Sequence, residues 1–230
     1  MTSRAARLDD RQHARRRPER PASGGASDAV PGLGRVEQLV LRGDGLTTTS
    51  LEILTGERID VVVDGNWPVI VPDGDEPRQP VSSLAFAEED GPDLDGYVTA
   101  AVTDLGARPG TRLLVREVLL RGTSGRVHGG AEVVALHDAL PPAVVTALAT
   151  TAQPIGRLLR DHEVPVLREL HRWGFLAAGP RADRLDADLR PTSRVLGRTY
   201  LMRSAGSGRP LATLTERFCP HVFAAGPADR

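Results

Sequence analysis

The segment Thr111–Gly122, TRLLVREVLLRG, restricts the fold more than any other part of the chain. Read with the two-residue period of a strand, it places Leu114, Arg116, Val118 and Leu120 on one side. Leu113, Val115, Glu117 and Leu119 fall on the other. Over 113–120 both sides are apolar apart from one charge each, which predicts a strand in the interior of a sheet, covered on both faces. An arginine at its centre cannot lie buried without a partner, so Arg116 must meet an anion or a carboxylate.

A second strand carries the complementary charge. In Leu211–Phe218, alternation gives one face made of Leu211, Thr213, Thr215 and Arg217, and another of Ala212, Leu214, Glu216 and Phe218. Glu216 is the odd member of the apolar face, and a buried carboxylate needs a cation, a proton or hydrogen-bond donors. Two readings of Arg116 and Glu216 follow from the pattern. They form a structural ion pair between strands, or they face an internal polar pocket in which Arg116 holds a ligand carboxylate and Glu216 holds a hydroxyl or moves a proton.

In chain order, residues 1–30 contain Arg15-Arg16-Arg17 and almost no large apolar side chains. An Arg-rich disordered tail is expected there, then a folded domain over 31–224 and a short tail over 225–230. Leu33, Val36, Leu39 and Val40 share one helical face, and Gly43 supplies the stop. Leu46–Leu54, LTTTSLEIL, is rich in threonine and aliphatics and is predicted as a strand, forming a hairpin with Ile59–Val63. Residues 72–96 are acidic and rich in proline and glycine; their carboxylates lack EF-hand spacing, so a solvated loop is expected. The turn Gly122–Gly125 leads to a strand at Ala131–Leu136. Pro141 and Pro142 open a helix whose inner face is Val144, Val145 and Leu148. Residues 156–163 and 166–173 are predicted as helices separated by Pro165, followed by a loop over 177–193. Gly197–Ser204 and Leu211–Phe218 are the last two strands. Hairpin-linked strands with helices between groups of them predict an α+β fold with a largely antiparallel sheet.

Composition removes several functions. A net charge of −1 and 3% aromatic residues give no footprint for nucleic acid. The chain contains no lysine, which excludes a pyridoxal phosphate Schiff base, a P-loop and a class I aldolase. Its one cysteine, Cys219, rules out an intramolecular disulfide and fits a reducing compartment such as the cytoplasm. Cys219 itself lacks a paired histidine and is expected to be a small buried residue. No apolar run is long enough to span a membrane. The six histidines form no HExxH or Cys/His pattern, so no metal is expected. There is no GxSxG, and Gly32-Leu33-Gly34 lacks the preceding strand of a dinucleotide fingerprint.

The succession VREVLLRG (115–122), QPIGRLL (153–159) and LTERF (214–218) resembles the chorismate pyruvate-lyase family. LTTTSLEILTGERIDVVV (46–63) and GRTYLMR (197–203) are similar to further segments of that family, in the same order, and the likeness runs from about Leu33 to Phe223. Residues 64–110 resemble it least. The resemblance implies a six-stranded antiparallel sheet with helices packed on one side, a ligand enclosed between them, no cofactor, a monomer, and cleavage of the enolpyruvyl ether of chorismate. It implies that Arg116 binds the ring carboxylate and Glu216 faces the far end of the ring. Ile155 and Leu46 would line the pocket, each a conservative departure from the family's residue, and Arg198 would stand near the ligand. Arg157 matches a position that differs among members. Two alternatives remain: a non-catalytic effector-binding domain of the same fold, and a lyase for a related chorismate-derived acid.

Overall fold

The computed structural model describes residues 32–43, 47–73 and 95–224. The Arg-rich N-terminal stretch, Leu46, most of the acidic loop and residues 225–230 lie outside the described residues. Six strands form one sheet: β1 (Ile59–Ile70), β2 (Arg112–Gly122), β3 (Val127–Leu136), β4 (Val166–Ala177), β5 (Arg194–Ser204) and β6 (Pro210–Phe218). Their order is β1-β2-β3-β6-β5-β4, and every neighbouring pair is antiparallel. The expected α+β architecture is therefore present, with β2 in the interior between β1 and β3.

The register fixes which side chains share a face. Arg116 pairs with Val133, and Val133 with Leu214. Glu216 pairs with Ala131 on one side and Arg198 on the other. Arg116, Glu216 and Arg198 thus project from the same face, as alternation in β2 and β6 predicts. Helices α1 (Arg35–Arg42), α2 (Thr47–Thr55), α4 (Pro142–Thr150) and α5 (Ile155–Asp161) cover this face. Val144, Leu148, Leu158 and Leu159 are buried against Leu114, Val133, Met202 and Leu214, each contributing roughly 1.5–3 kcal/mol of burial. Helix α3 (Asp95–Leu105) is added on the opposite face, where Tyr97, Val98 and Ala101 pack on Leu113, Val115, Val134 and Leu201. A 3₁₀ turn at His137–Ala139 and two short helices, α6 (Ala182–Leu185) and α7 (His221–Ala224), complete the described elements.

Three expectations are corrected. The segment predicted as a strand at Leu46–Leu54 is helix α2, so no hairpin joins it to Ile59–Val63, and β1 pairs with β2 instead. Its threonines favour a strand locally, but its buried side chains, Thr47 and Leu51, are four apart, and Leu51 packs with Leu41, Leu120 and Phe218. Gly56, at φ +71°, ends the helix in the left-handed conformation, its N–H donating to the Glu52 carbonyl. Next, Val166–Leu170–Trp173, spaced like a helical face, belongs to strand β4. The register shifts between Leu170 and Arg172, and this bulge returns Trp173 to the face of Leu170, so a two-residue period reads as i, i+4, i+7. β4 is an edge strand, which lets its polar side chains stay in solvent. Finally, α1 buries Val40 and Leu41, while Val36 and Leu39 are exposed.

The helical assignment of α2 makes a sharp distinction. As a strand, Leu51 and Ile53 would share one face; as a helix, Leu51 is fully buried and Ile53 is 78% exposed. Leu51→Ala should cost about 2–5 kcal/mol in urea unfolding. Ile53→Ala should change stability by no more than about 0.5 kcal/mol. Equal losses at the two positions would refute the helix.

Candidate functional site

Arg116 is 2% exposed. Its Nη1 donates to the Leu148 carbonyl at 2.8 Å and its Nη2 to the Thr151 carbonyl at 2.8 Å. Both acceptors belong to the C-terminal end of α4, where carbonyls lack intrahelical partners and the helix dipole favours a cation. Asn66, directly opposite Arg116 in β1, donates its amide to the same Leu148 carbonyl at 2.9 Å. Burial pulls the Arg116 pKa below the ordinary arginine range. Among the described residues no carboxylate lies within ion-pair distance of this guanidinium. Arg116 therefore holds a helix end, and its full positive charge has no counter-ion among them.

Glu216 has different company. Its Oε2 accepts from Arg198 Nε at 2.6 Å, and its Oε1 accepts from the Thr47 hydroxyl. Arg198 spends its other donors on the end of α1 and the start of α2: Nη1 on the carbonyls of Val40 and Gly43, Nη2 on Thr47 Oγ1 at 2.7 Å. The Tyr200 hydroxyl also donates to the Gly43 carbonyl, and the Arg198 guanidinium lies 4.8 Å from the Tyr200 ring centroid. Arg198 is thus the ion partner of Glu216, and the direct Arg116–Glu216 pair is not formed. From two strand spacings and two residues of rise, the α-carbons of Arg116 and Glu216 are about 12 Å apart. Ala131, Val133 and Leu214 lie on the face between them.

Ile155, the first residue of α5, is buried in the cluster that contains Val133, Tyr200 and Leu214. Leu46 lies outside the described residues, one position before Thr47. Arg157 is on the exposed side of α5, within 3.6 Å of Asp161. Thr47, Asn66 and Tyr200 join the site without having been singled out. Thr47 was hidden by the strand reading of its segment. Tyr200 was visible as the next residue on the Arg198 face. Asn66 carries no sequence signal, because its place opposite Arg116 depends on a bulge between Val63 and Gly65. Cys219 is buried, and burial pushes its thiol up to about 12, which removes it as a nucleophile.

The second charge of β2, Glu117, is buried on the other face, where the Tyr97 hydroxyl donates to it and Arg181 Nε lies 2.7 Å away. Burial raises its pKa above the ordinary 4.5 despite these partners.

These elements define an α+β domain in which one sheet face, roofed by helices, carries a buried cation and a buried Arg–Glu pair. The family of chorismate pyruvate-lyases described as Rv2949c-like matches residues 99–225. The chain belongs to this family. A chorismate pyruvate-lyase of Mycobacterium leprae is 34% identical over 121 residues, covering 51% of this chain and 55% of that protein. The chain spans little more than half the length of the curated relatives it matches. Among solved structures, PhnF from Mycobacterium smegmatis has the same fold, with a TM-score of 0.51 at 10% identity over 78% of this chain and 65% of that one. A GntR-family transcriptional regulator from Bacillus cereus gives 0.49 at 9% identity, over 75% of this chain and 99% of that one.

Two outcomes follow from the site's electrostatics. Arg198→Met leaves Glu216 buried without its cation and should cost about 3–5 kcal/mol in urea unfolding, with much of the loss recovered in Arg198→Met/Glu216→Leu. At Glu117 the raised pKa means that the folded chain holds the proton more tightly than the unfolded one. Its contribution is then present at low pH and is lost as pH rises through the folded value. The stability of the wild type relative to Glu117→Gln should therefore fall as pH rises above the ordinary carboxylate value of 4.5; a flat or rising difference contradicts the assignment.

Proposed function

We propose that this chain is a chorismate pyruvate-lyase, a cofactor-independent carbon–oxygen lyase that converts chorismate to 4-hydroxybenzoate and pyruvate. The observation that carries the reading is the buried guanidinium of Arg116, which has only backbone carbonyl partners among the described residues and shares a sheet face with Glu216. Family membership and the M. leprae relative support it.

In this reading Arg116 clamps the ring carboxylate of chorismate through donors it does not give to α4. The ring extends along the sheet face over Ala131 and Val133, and its hydroxyl-bearing end meets Glu216. The two substrate ends thus meet opposite chemistries, a cation and an acceptor, which sets one orientation. The ring loses the C4 proton and the bond between C3 and the ether oxygen breaks. The enolpyruvyl group leaves with the bonding electrons and is protonated at its methylene carbon to give pyruvate; the ring is left aromatic. No electrons are exchanged with a cofactor, and the proton lost balances the proton gained. Aromatisation makes the reaction favourable, so orientation and exclusion of water supply much of the acceleration. Glu216 has acceptor sites beyond those used by Arg198 and Thr47. It either takes the C4 proton or holds the 4-hydroxyl while the enolpyruvyl methylene takes the proton internally. Ile155 shapes one wall of the pocket, and Arg198 positions Glu216.

Purified protein incubated with chorismate should release pyruvate and 4-hydroxybenzoate in equal amounts. Arg116→Ala should lower kcat/KM by about a hundredfold or more. Glu216→Gln should reduce kcat by about 10²–10⁴ if Glu216 carries the proton, and much less if it only orients the hydroxyl; circular dichroism checks that the variant is folded. Tight binding of chorismate without turnover would favour an effector-binding domain. Pyruvate with a different aromatic product would favour a related acid as substrate.

A further inference from the structure

A cavity of about 540 Å³ lies on the sheet face opposite Arg116, within the size range of small-molecule sites. Neither Arg116 nor Glu216 lines it. Its floor comes from β3, β5 and β6, and α3 forms one wall through Tyr97 and Ala100. The composition of that floor is unusual for the middle of a sheet. Elsewhere on this face the strands present Leu113, Val115 and Leu201 to α3, and Val134 reaches both α3 and the cavity. At the cavity they present Thr199, Thr213 and Thr215. Thr199 and Thr215 are in register, their hydroxyls 3.1 Å apart, and Thr213 is 5% exposed. Threonine matches valine in shape, so strand geometry does not require the hydroxyls; beneath a packed helix they would be a desolvation cost. A bond between Thr199 and Thr215 uses one donor and one acceptor, leaving one donor and several acceptor sites directed from this pair.

The charges around the cavity cancel locally. Arg217 pairs with Glu132 at 2.6 Å and donates to the Ala177 carbonyl at 2.7 Å. Arg172 pairs with Asp104 at 3.1 Å. An anion entering here would meet two carboxylates, and a cation two guanidinium groups, each already neutralised. The other walls, Leu176, Pro180 and Pro191 among them, are apolar. This is the reverse of the Arg116 site, where a cation lacks a counter-ion among the described residues.

We infer that this cavity is a second binding site, for an uncharged small molecule with an apolar body and at least one hydroxyl group, which the paired threonines recognise. It lies on the other side of the sheet from the proposed lyase site. Thr215 and Arg217 flank Glu216 along β6, so the two sites share a strand without sharing a side chain.

The test needs no turnover and stands whether or not the chain cleaves chorismate. Phenol is titrated into the full chain while the methyl resonances of Thr199, Thr213 and Thr215 are followed by NMR, with benzoate and benzylamine as charged counterparts. Phenol should shift these three methyls at millimolar concentration, and both charged probes should bind there at least about tenfold more weakly. Thr199→Val, nearly isosteric and expected to fold normally, removes one hydroxyl of the recognising pair and should weaken phenol by about fivefold. Ala100→Phe should project a ring from α3 into the cavity and weaken the phenol shifts at Thr199 and Thr215. The proposal is overturned if phenol leaves the threonine methyls unmoved. It is equally overturned if benzoate binds there as well as phenol does, or if a folded Ala100→Phe variant binds phenol like the wild type.

Discussion

The buried pair between Arg198 and Glu216 is the interaction on which the roofed face of this sheet depends. Two charges taken out of water cost several kilocalories per mole each, and they are tolerated only if their hydrogen-bonding groups are satisfied. Here Arg198 meets that condition by reaching beyond Glu216 to the Val40 and Gly43 carbonyls and to Thr47. The requirement to satisfy one guanidinium therefore anchors the end of α1 and the beginning of α2 to the sheet. Arg116 does the same for α4. Each arginine sits at a helix C-terminus, where the dipole and the orphan carbonyls both favour a cation.

The two arginines differ in what remains after that work. Arg198 is neutralised by a carboxylate within the fold, so its electrostatic role is largely internal. Arg116 is bonded only to neutral carbonyls among the described residues, and burial weakens its hold on its proton without removing the charge. A desolvated cation without a counter-ion favours an anion over water, which is the physical basis of the carboxylate clamp proposed for this face. The opposite face follows another logic. Its charges are matched in pairs and its central strands carry hydroxyls, so its selectivity is for neutral, hydrogen-bonding molecules.

Alternation made the strands with a single misplaced charge legible. In β2 and β6, one arginine and one glutamate interrupt otherwise apolar faces, and both project where the period places them. Alternation misleads where the period itself is disturbed. In β4 the bulge after Leu170 shifts Trp173 by one position and imitates a helical stripe. In α2 a run of threonines advertises a strand, while the need to bury Leu51 against Phe218 and Leu41 selects a helix. Both errors are local signals overruled by contacts distant in sequence.

By itself, the sequence determined that Arg116 and Glu216 face inward, because side-chain direction in a strand is a local, two-residue property. It also determined the family through short motifs in order. It could not determine their partners. Whether Arg116 and Glu216 meet depends on strand order and register, and only the tertiary structure sets β3 between them. The same order places Arg198 beside Glu216, and the bulge at β1 brings Asn66 opposite Arg116. A charge's direction is written along one strand; what it touches is decided by the strands and helices that pack around it.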